Sequence, residues 1–255
     1  MNWMALLLLG LVAGSTIFIG LSLGRFKGLS GTWRGALSMV ATGILVFLFT
    51  EIILDAISPV SAALEAPETG TSLRFNFFVV LFLVGFAIGL VGLVYVRQRF
   101  IRQAARISSQ RLSLMIAAGI GLHNLSEGLA IGQSFLSGQI ALAFSLVIGF
   151  ALHNATEGFG IVGPMLQQGQ RVRWREIAFL GAISGGPTFV GTLLGSLWTS
   201  VPLSIFVLAM AGGALLYVIN ELFSGVRKET AQVVIMSFVV VGFAIGWLTE
   251  LVLDR

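Results

Sequence analysis

The sequence predicts an all-α integral membrane protein with eight transmembrane helices and both termini outside, and three observations support this. Hydrophobic residues make up 56% of the 255 residues and charged residues only 10%, where a soluble domain carries about a quarter charged residues. Apolar runs of about 20 residues, the length that crosses a hydrocarbon core, recur along the whole chain. The basic residues fall in alternate loops between these runs. We therefore expect residues 1–255 to form a single transmembrane domain in a multi-pass protein of the cell (inner or plasma) membrane.

Each apolar run is interpreted as one helix, because its length and composition match a membrane span. The first run has no Lys or Arg among its first fourteen residues and no evident small-residue cleavage pattern, so we expect it to persist as a helix and not to be removed as a signal peptide. The eight runs are centred near Gly14, Leu45, Gly85, Gly121, Phe150, Gly191, Gly212 and Ala244.

The distribution of basic residues predicts the orientation of the chain. With eight helices, 13 of the 15 Lys and Arg residues lie in four loops on one side, and the loop at about 97–111 alone holds five arginines. The positive-inside rule places these loops in the cytoplasm and both termini outside. We interpret the pattern as a topology signal, and not as a site for nucleic acid or for a specific lipid.

A repeated polar motif lies inside two adjacent apolar runs. Residues 122–128 read LHNLSEG and residues 152–158 read LHNATEG, and the two histidines of the chain are both in these motifs. A helix advances about 100° per residue, so His, Asn and Glu of each motif fall within one arc of about 100°. An ionisable side chain at mid-bilayer costs about 2.5–3.5 kcal/mol, so each one needs a partner or a function.

These residue types form a ligand set for a divalent metal. Imidazole nitrogen, amide oxygen and carboxylate oxygen suit zinc, ferrous iron, manganese or cadmium, and the ligand types alone do not rank these metals. The motif-bearing helices, at about 112–135 and 139–164, are joined by a short loop near Ser137 and Gly138, so the two arcs can face each other. The alternative is a set of interhelical hydrogen bonds that only fixes the bundle; a full triplet repeated twice favours metal binding. The predicted ligands are His123, Asn124, Glu127, His153, Asn154 and Glu157.

Further polar residues in the apolar runs suggest a path to and from this site. Glu51 and Asp55 lie one turn apart toward the outer end of the second run, where they either gather cations or are solvated end residues. Asn220 and Glu221 lie near the cytoplasmic end of the seventh run, as an exit or as interfacial residues. The segment SGGPT, which begins at Ser184, can break the sixth helix and free backbone carbonyls.

The paired motifs HNLSEG (123–128) and HNATEG (153–158) resemble those of the Zrt/Irt-like (ZIP) divalent-metal transporters, in particular their compact bacterial branch. The resemblance implies a ZIP-like helix bundle with the motifs on the fourth and fifth helices. It also implies that the six motif residues form a binuclear metal centre within the membrane. Movement of the metal-bearing helices against a scaffold would carry metal into the cytoplasm, and the protein would be a homodimer.

The chain departs from the family pattern at two places within its helices, and the loop at about 97–111 is arginine-rich where relatives often have histidines. A carboxylate usually precedes the proline of the sixth helix, but here Gly186 precedes Pro187, which removes one expected ligand; Ser184 or water would be a weak substitute. The position before the motif glutamate is often proline in the family, whereas here it is Ser126 and Thr156, so a helix kink would have to come from hydroxyl groups or from Pro164.

Two other functions fit the same ligands. One is a membrane-embedded metal-dependent hydrolase, in which the metal activates water. The other is a metal-binding sensor that no longer transports. We expect a secondary transporter of divalent transition metals, zinc first, and not an enzyme. A phosphate-binding loop ending in Lys-Ser or Lys-Thr does not occur in the sequence. We therefore expect no direct coupling to ATP. We also expect no organic cofactor, and as partners the metal substrate, membrane lipid and a second copy of the chain, with no nucleic acid.

Overall fold

The computed structural model of the protein describes residues 3–25, 31–65, 71–100, 108–197, 200–225 and 232–253, and every regular element among them is helical. The predicted all-α class is confirmed for this part of the chain. A 3-10 turn, Leu23–Arg25, follows the second helix. The helices are α1 (Trp3–Ser15), α2 (Ile17–Ser22), α3 (Gly31–Glu65), α4 (Thr71–Phe100), α5 (Ser109–Leu136), α6 (Ile140–Gln167), α7 (Trp174–Gly195), α8 (Val201–Gly225) and α9 (Gln232–Leu253).

Seven segments of the described chain are long and apolar enough to cross a membrane. The first, Trp3–Arg25, joins α1, α2 and the 3-10 turn, and α3 to α8 supply the other six. Within α9 only a shorter apolar stretch, Met236–Leu248, is found. The chain is thus a multi-pass membrane protein, while the eighth span and the outside termini stay predictions. Of the basic loop at 97–111, residues 101–107 lie outside the described residues, as do Lys27, Arg227 and Lys228.

The helices can be divided into two groups by the partners along which they pack, and the groups meet where α3 packs on α6 and α5 on α8. The motif group consists of α1, α2, α5, α6 and α7, in which α5 packs along α7 while α6 packs on α1 and α2. The outer group consists of α3, α4, α8 and α9, in which α4 packs along α8 and α3 along α9. Glycines bring backbones together within each group. A Cβ atom at Gly128 would lie 2.1 Å from the carbonyl oxygen of Thr188, and one at Gly89 would lie 2.0 Å from that of Met210.

A tight turn sets the two motifs at equal depth. Gly138, at the turn between α5 and α6, has a φ of +74°, a left-handed conformation that glycine adopts without a steric penalty. The turn is closed by a hydrogen bond of 2.9 Å from the Gln139 amide to the Ser134 carbonyl. His123 and His153 each lie fifteen residues from Gly138 in sequence. At 1.5 Å per residue, both histidines lie about 22 Å from the turn.

The sixth apolar run remains one helix. The segment that begins at Ser184 was expected to break it, but α7 runs without interruption from Trp174 to Gly195, with Pro187 inside it. That expectation was wrong. Pro187 still lacks an N–H, so the helix cannot satisfy the Ile183 carbonyl in the usual way. The freed backbone group is buried beside α5, since a Cβ atom at Gly121 would lie 2.3 Å from the Ile183 oxygen.

Candidate metal centre

The polar faces of the two motifs meet between α5 and α6. The ring centroids of His123 and His153 lie 6.0 Å apart, with the ring planes inclined at 58°. All six motif side chains are buried, with at most 5% of any one exposed. The intervening residues, Leu125 and Ser126 in α5 and Ala155 and Thr156 in α6, are only partly buried. The two arcs therefore face each other at similar depth, as helical periodicity predicts.

Within each motif the imidazole approaches the carboxylate one turn away. The Nε2 atom of His123 lies 3.4 Å from Oε1 of Glu127, and Nε2 of His153 lies 3.4 Å from Oε1 of Glu157. His123, Glu127 and His153 each place one ligand atom within 4.8 Å of the other two. Ligand atoms on a single four-coordinate zinc lie about 3.3 Å apart, given metal–ligand distances near 2.0–2.1 Å. Small side-chain rotations would bring these three atoms onto one ion.

Many ligand atoms of the cluster are buried without a hydrogen bond in the described part of the chain. The 3.4 Å contacts do not have hydrogen-bond geometry, so the imidazoles remain unbonded. A buried polar atom that stays unpaired costs about 1–3 kcal/mol. The cluster is therefore costly for the apoprotein, and a bound cation would satisfy it. These atoms are Nδ1 and Nε2 of His123 and His153, Oδ1 of Asn124 and Asn154, Oε2 of Glu127, and both carboxylate oxygens of Glu157.

The two asparagines link the motifs to neighbouring helices. Asn124 Nδ2 donates a hydrogen bond of 3.1 Å to the backbone carbonyl of Ser184 in α7. Asn154 Nδ2 donates one of 3.0 Å to the carbonyl of Ala13 in α1. Because the amide nitrogen is held by a neighbouring helix, the orientation of each amide is fixed. The sequence predicted the oxygens as ligands but did not reveal this anchoring.

The hydroxyls before the motif glutamates bond back to the motif backbone. Ser126 Oγ donates to the carbonyl of His123 at 2.6 Å, and Thr156 Oγ1 donates to that of His153 at 2.7 Å. Such bonds to the preceding turn often bend helices. Each hydroxyl therefore bonds to the backbone carbonyl of a predicted histidine ligand. Ser126 and Thr156 occupy the positions where the family often has proline.

The structure adds Glu51 to the cluster. Its Oε2 atom lies 3.6 Å from Nε2 of His153, and 19% of its side chain is exposed. The sequence placed this residue on a path near the outer end of its helix, because spacing within one helix cannot show which neighbour it meets. The one sequence feature that could have pointed to Glu51 as a site residue is that its carboxylate lies inside an apolar run. Asp55, one turn further along α3, is exposed.

The other predicted pathway residues lie apart from the three-residue ligand cluster. The Ser184 hydroxyl donates to the Leu180 carbonyl at 2.7 Å, so this residue meets the motif through its backbone oxygen. Asn220 is exposed and Glu221 partly buried near the end of α8. A Cβ atom built at Gly186 would meet nothing within 4 Å, which leaves space where the family usually has a carboxylate.

Comparison with known proteins identifies the family of the chain. The chain is 29% identical over 228 residues to the zinc transporter ZupT of Salmonella paratyphi A, a match that covers 85% of this chain and 84% of ZupT. It is 36% identical over 111 residues to the zinc transporter GufA of Myxococcus xanthus, and this match spans 43% of each protein. Residues 97–249, more than half of the chain and including both motifs, match the family model described as ZIP zinc transporter. The chain belongs to the ZIP zinc transporter family.

Proposed function

We propose that this protein carries divalent transition-metal cations, with zinc as the first candidate, across the cell membrane into the cytoplasm. The observation that carries the proposal is the convergence of two buried motifs whose imidazole, amide and carboxylate atoms lack hydrogen-bond partners in the described chain. Membership of a family of zinc transporters supports transport over hydrolysis. A divalent charge would also offset the negative charge of the carboxylates in this buried cluster.

The proposed ligands have distinct roles. His123 and His153 supply nitrogen, and Glu127 and Glu157 supply carboxylates that can bridge two ions. Asn124 and Asn154 present Oδ1 atoms from amides already held by hydrogen bonds to α7 and α1. This mixed nitrogen and oxygen set accepts zinc, ferrous iron, manganese and cadmium, so the preferred metal depends on the geometry of the site.

We propose that the motif group moves against the outer group to expose the site to each side in turn, which is alternating access. The contacts between the groups support this. A Cβ atom at Gly160 in α6 would meet the Leu45 side chain at 3.2 Å, and one at Gly163 would meet the Ala41 Cβ at 2.9 Å. These are side-chain contacts, whereas glycines such as Gly128 and Gly89, inside one group, approach backbone oxygens. Apolar side chains can slide past one another more easily than interlocked backbones.

The proposal also includes a homodimer in the membrane. Among the candidate spans, the one in α4, Ser72–Tyr95, has the smallest buried share, 17%. A span this exposed can be covered by lipid or by a second copy of the chain. Mass measurement of the protein in lipid nanodiscs would decide between one and two copies.

The experiment that tests the function separates binding from flux. Purified protein would be titrated with zinc in detergent and then placed in liposomes for uptake, beside His123→Ala and Glu157→Ala variants whose fold is checked by thermal unfolding. We expect the parent to bind and to carry zinc, and both variants to lose uptake. Tight binding without flux would favour the sensor alternative. Metal-dependent lipid turnover without flux would favour the hydrolase, and normal uptake in both variants would refute the site.

A further inference from the structure

An arginine-lined pocket lies at one end of the motif group, away from the metal centre. It has a volume of about 520 Å³ and is lined by Arg25, Arg171, Val172, Arg173 and Trp174. Three of the five lining residues are arginines and none is acidic. The pocket joins the 3-10 turn after α2 to the segment that leads into α7. It therefore has the charge of an anion site.

Contacts within the protein hold part of this pocket in place. Arg25 Nη1 donates a hydrogen bond of 3.2 Å to the Val172 carbonyl, and the Arg25 guanidinium carbon lies 4.2 Å from the centre of the Trp174 ring. The Val172 amide donates to the Gly24 carbonyl at 3.1 Å. A guanidinium carries five N–H donors, so Arg25 has donors left for a ligand after this contact. A site that is already ordered loses less entropy when a ligand binds.

The carboxylate of the adjoining pocket is already engaged. Glu176 lines an adjoining pocket of about 390 Å³ that shares Arg171 and Arg173 with the first. Its Oε2 atom accepts a hydrogen bond of 2.7 Å from the Arg173 backbone amide, at the start of α7. This carboxylate caps the helix, and it does not line the arginine pocket.

The pocket lies at the boundary of two candidate membrane spans. Arg25 is the last residue of the span Trp3–Arg25, and Trp174 is the first residue of the span Trp174–Gly195. Trp174 is 63% exposed, and tryptophan is enriched at the depth of the lipid headgroups. A ligand in this pocket would lie beside the headgroup layer, which makes a lipid a better fit than a free anion.

We propose that this pocket binds the phosphodiester of an anionic phospholipid, with phosphatidylglycerol as the test case. One arginine guanidinium can donate two parallel hydrogen bonds to a phosphate group. Basic pockets between transmembrane helices are typical sites for anionic headgroups. The arginines were first interpreted as a topology signal, and the open, partly ordered pocket that they line is what adds a binding role. The lipid would join α2 to α7 and so brace the motif group.

Native mass spectrometry of the purified full-length protein tests this, with phosphatidylglycerol or phosphatidylcholine added to the detergent. The parent should retain phosphatidylglycerol in preference. The Arg171→Gln/Arg173→Gln variant should bind it about thirtyfold more weakly, since one basic residue near an anionic surface contributes about fivefold. Arg175→Gln, an exposed residue of α7 that does not line the pocket, is the matched control and should keep the preference.

Three outcomes would overturn the proposal. The first is that the parent retains both lipids equally, and the second is that the double variant keeps its phosphatidylglycerol. The third is that millimolar inorganic phosphate displaces the lipid completely, which would show that the site binds a free anion. Should the double variant fail to fold, Arg171→Gln alone gives the same comparison, with an expected loss of about fivefold.

Discussion

Glu51 Oε2 lies 3.6 Å from Nε2 of His153, although Glu51 belongs to α3 in the outer group and His153 to α6 in the motif group. The contact links the two helix groups at the metal centre. The site is therefore not completed by the α5–α6 hairpin alone. If one group moved against the other, the contact would break unless the Glu51 side chain moved together with His153.

Replacing Glu51 with Gln should weaken zinc binding and uptake by about 10- to 100-fold, the usual effect of removing a group that supports a metal ligand. The reason is the loss of a carboxylate beside the His153 imidazole, while side-chain volume is kept. Asp55→Asn, an exposed carboxylate one turn away on α3, is the matched comparison and should change uptake much less. Equal effects of the two substitutions would mean that both act only by attracting cations to the surface.

Replacing Asn124 with Ala should lower protein stability as well as metal affinity. The substitution removes the hydrogen bond to the Ser184 carbonyl and leaves that carbonyl without its side-chain donor. A hydrogen bond between membrane helices contributes about 1 kcal/mol, so thermal unfolding in detergent should shift by a few degrees. Asn154→Ala should do the same through Ala13 in α1. If the variants lost metal binding but kept the parental unfolding temperature, the two asparagines would act as ligands and would not stabilise the fold.

Replacing Gly128 with Ala should destabilise the protein, whereas Gly186→Ala should not. The new Cβ at residue 128 would lie 2.1 Å from the Thr188 carbonyl oxygen, and the one at residue 186 would meet nothing within 4 Å. Overpacking costs about 1–3 kcal/mol. The measurement is thermal unfolding of both variants in detergent. Equal stability of the two would contradict the close packing of α5 on α7.

Zinc uptake should fall as the pH is lowered equally on both sides of the membrane. Metal binding requires unprotonated imidazole and carboxylate ligands, so protons compete with the metal. Uptake would be compared over roughly pH 8 to 5, where protons become able to compete with the metal. Initial rates of uptake at fixed free zinc would show the effect. A rate that is constant across this range would argue against the predicted ligands.

Many features of the fold and of the candidate site can be predicted from the sequence because they depend on local periodicity. Hydropathy predicts the apolar helices, and the spacing of four residues between His123 and Glu127 predicts that they share one helix face. The equal distance of the two motifs from Gly138 predicts that the faces meet, as the 6.0 Å separation of the two rings shows. These relations lie within one helix or across one tight turn, where geometry is fixed by the chain itself.

Other features could not be predicted because they depend on contacts between distant segments. Glu51 reaches His153 from another helix, and Asn154 reaches Ala13 across 141 residues of sequence. The pattern around Pro187 suggested a broken helix, but α7 is continuous and packs closely on α5. Sequence spacing cannot report such tertiary effects.

The central claim is that the paired motifs carry metal across the membrane. Its most direct test is radiolabelled zinc uptake into liposomes that hold the purified parent, Glu127→Ala or His153→Ala. We expect uptake above empty liposomes for the parent and near-complete loss in both variants, with each variant still folded. Uptake at the parental rate in either variant would contradict it.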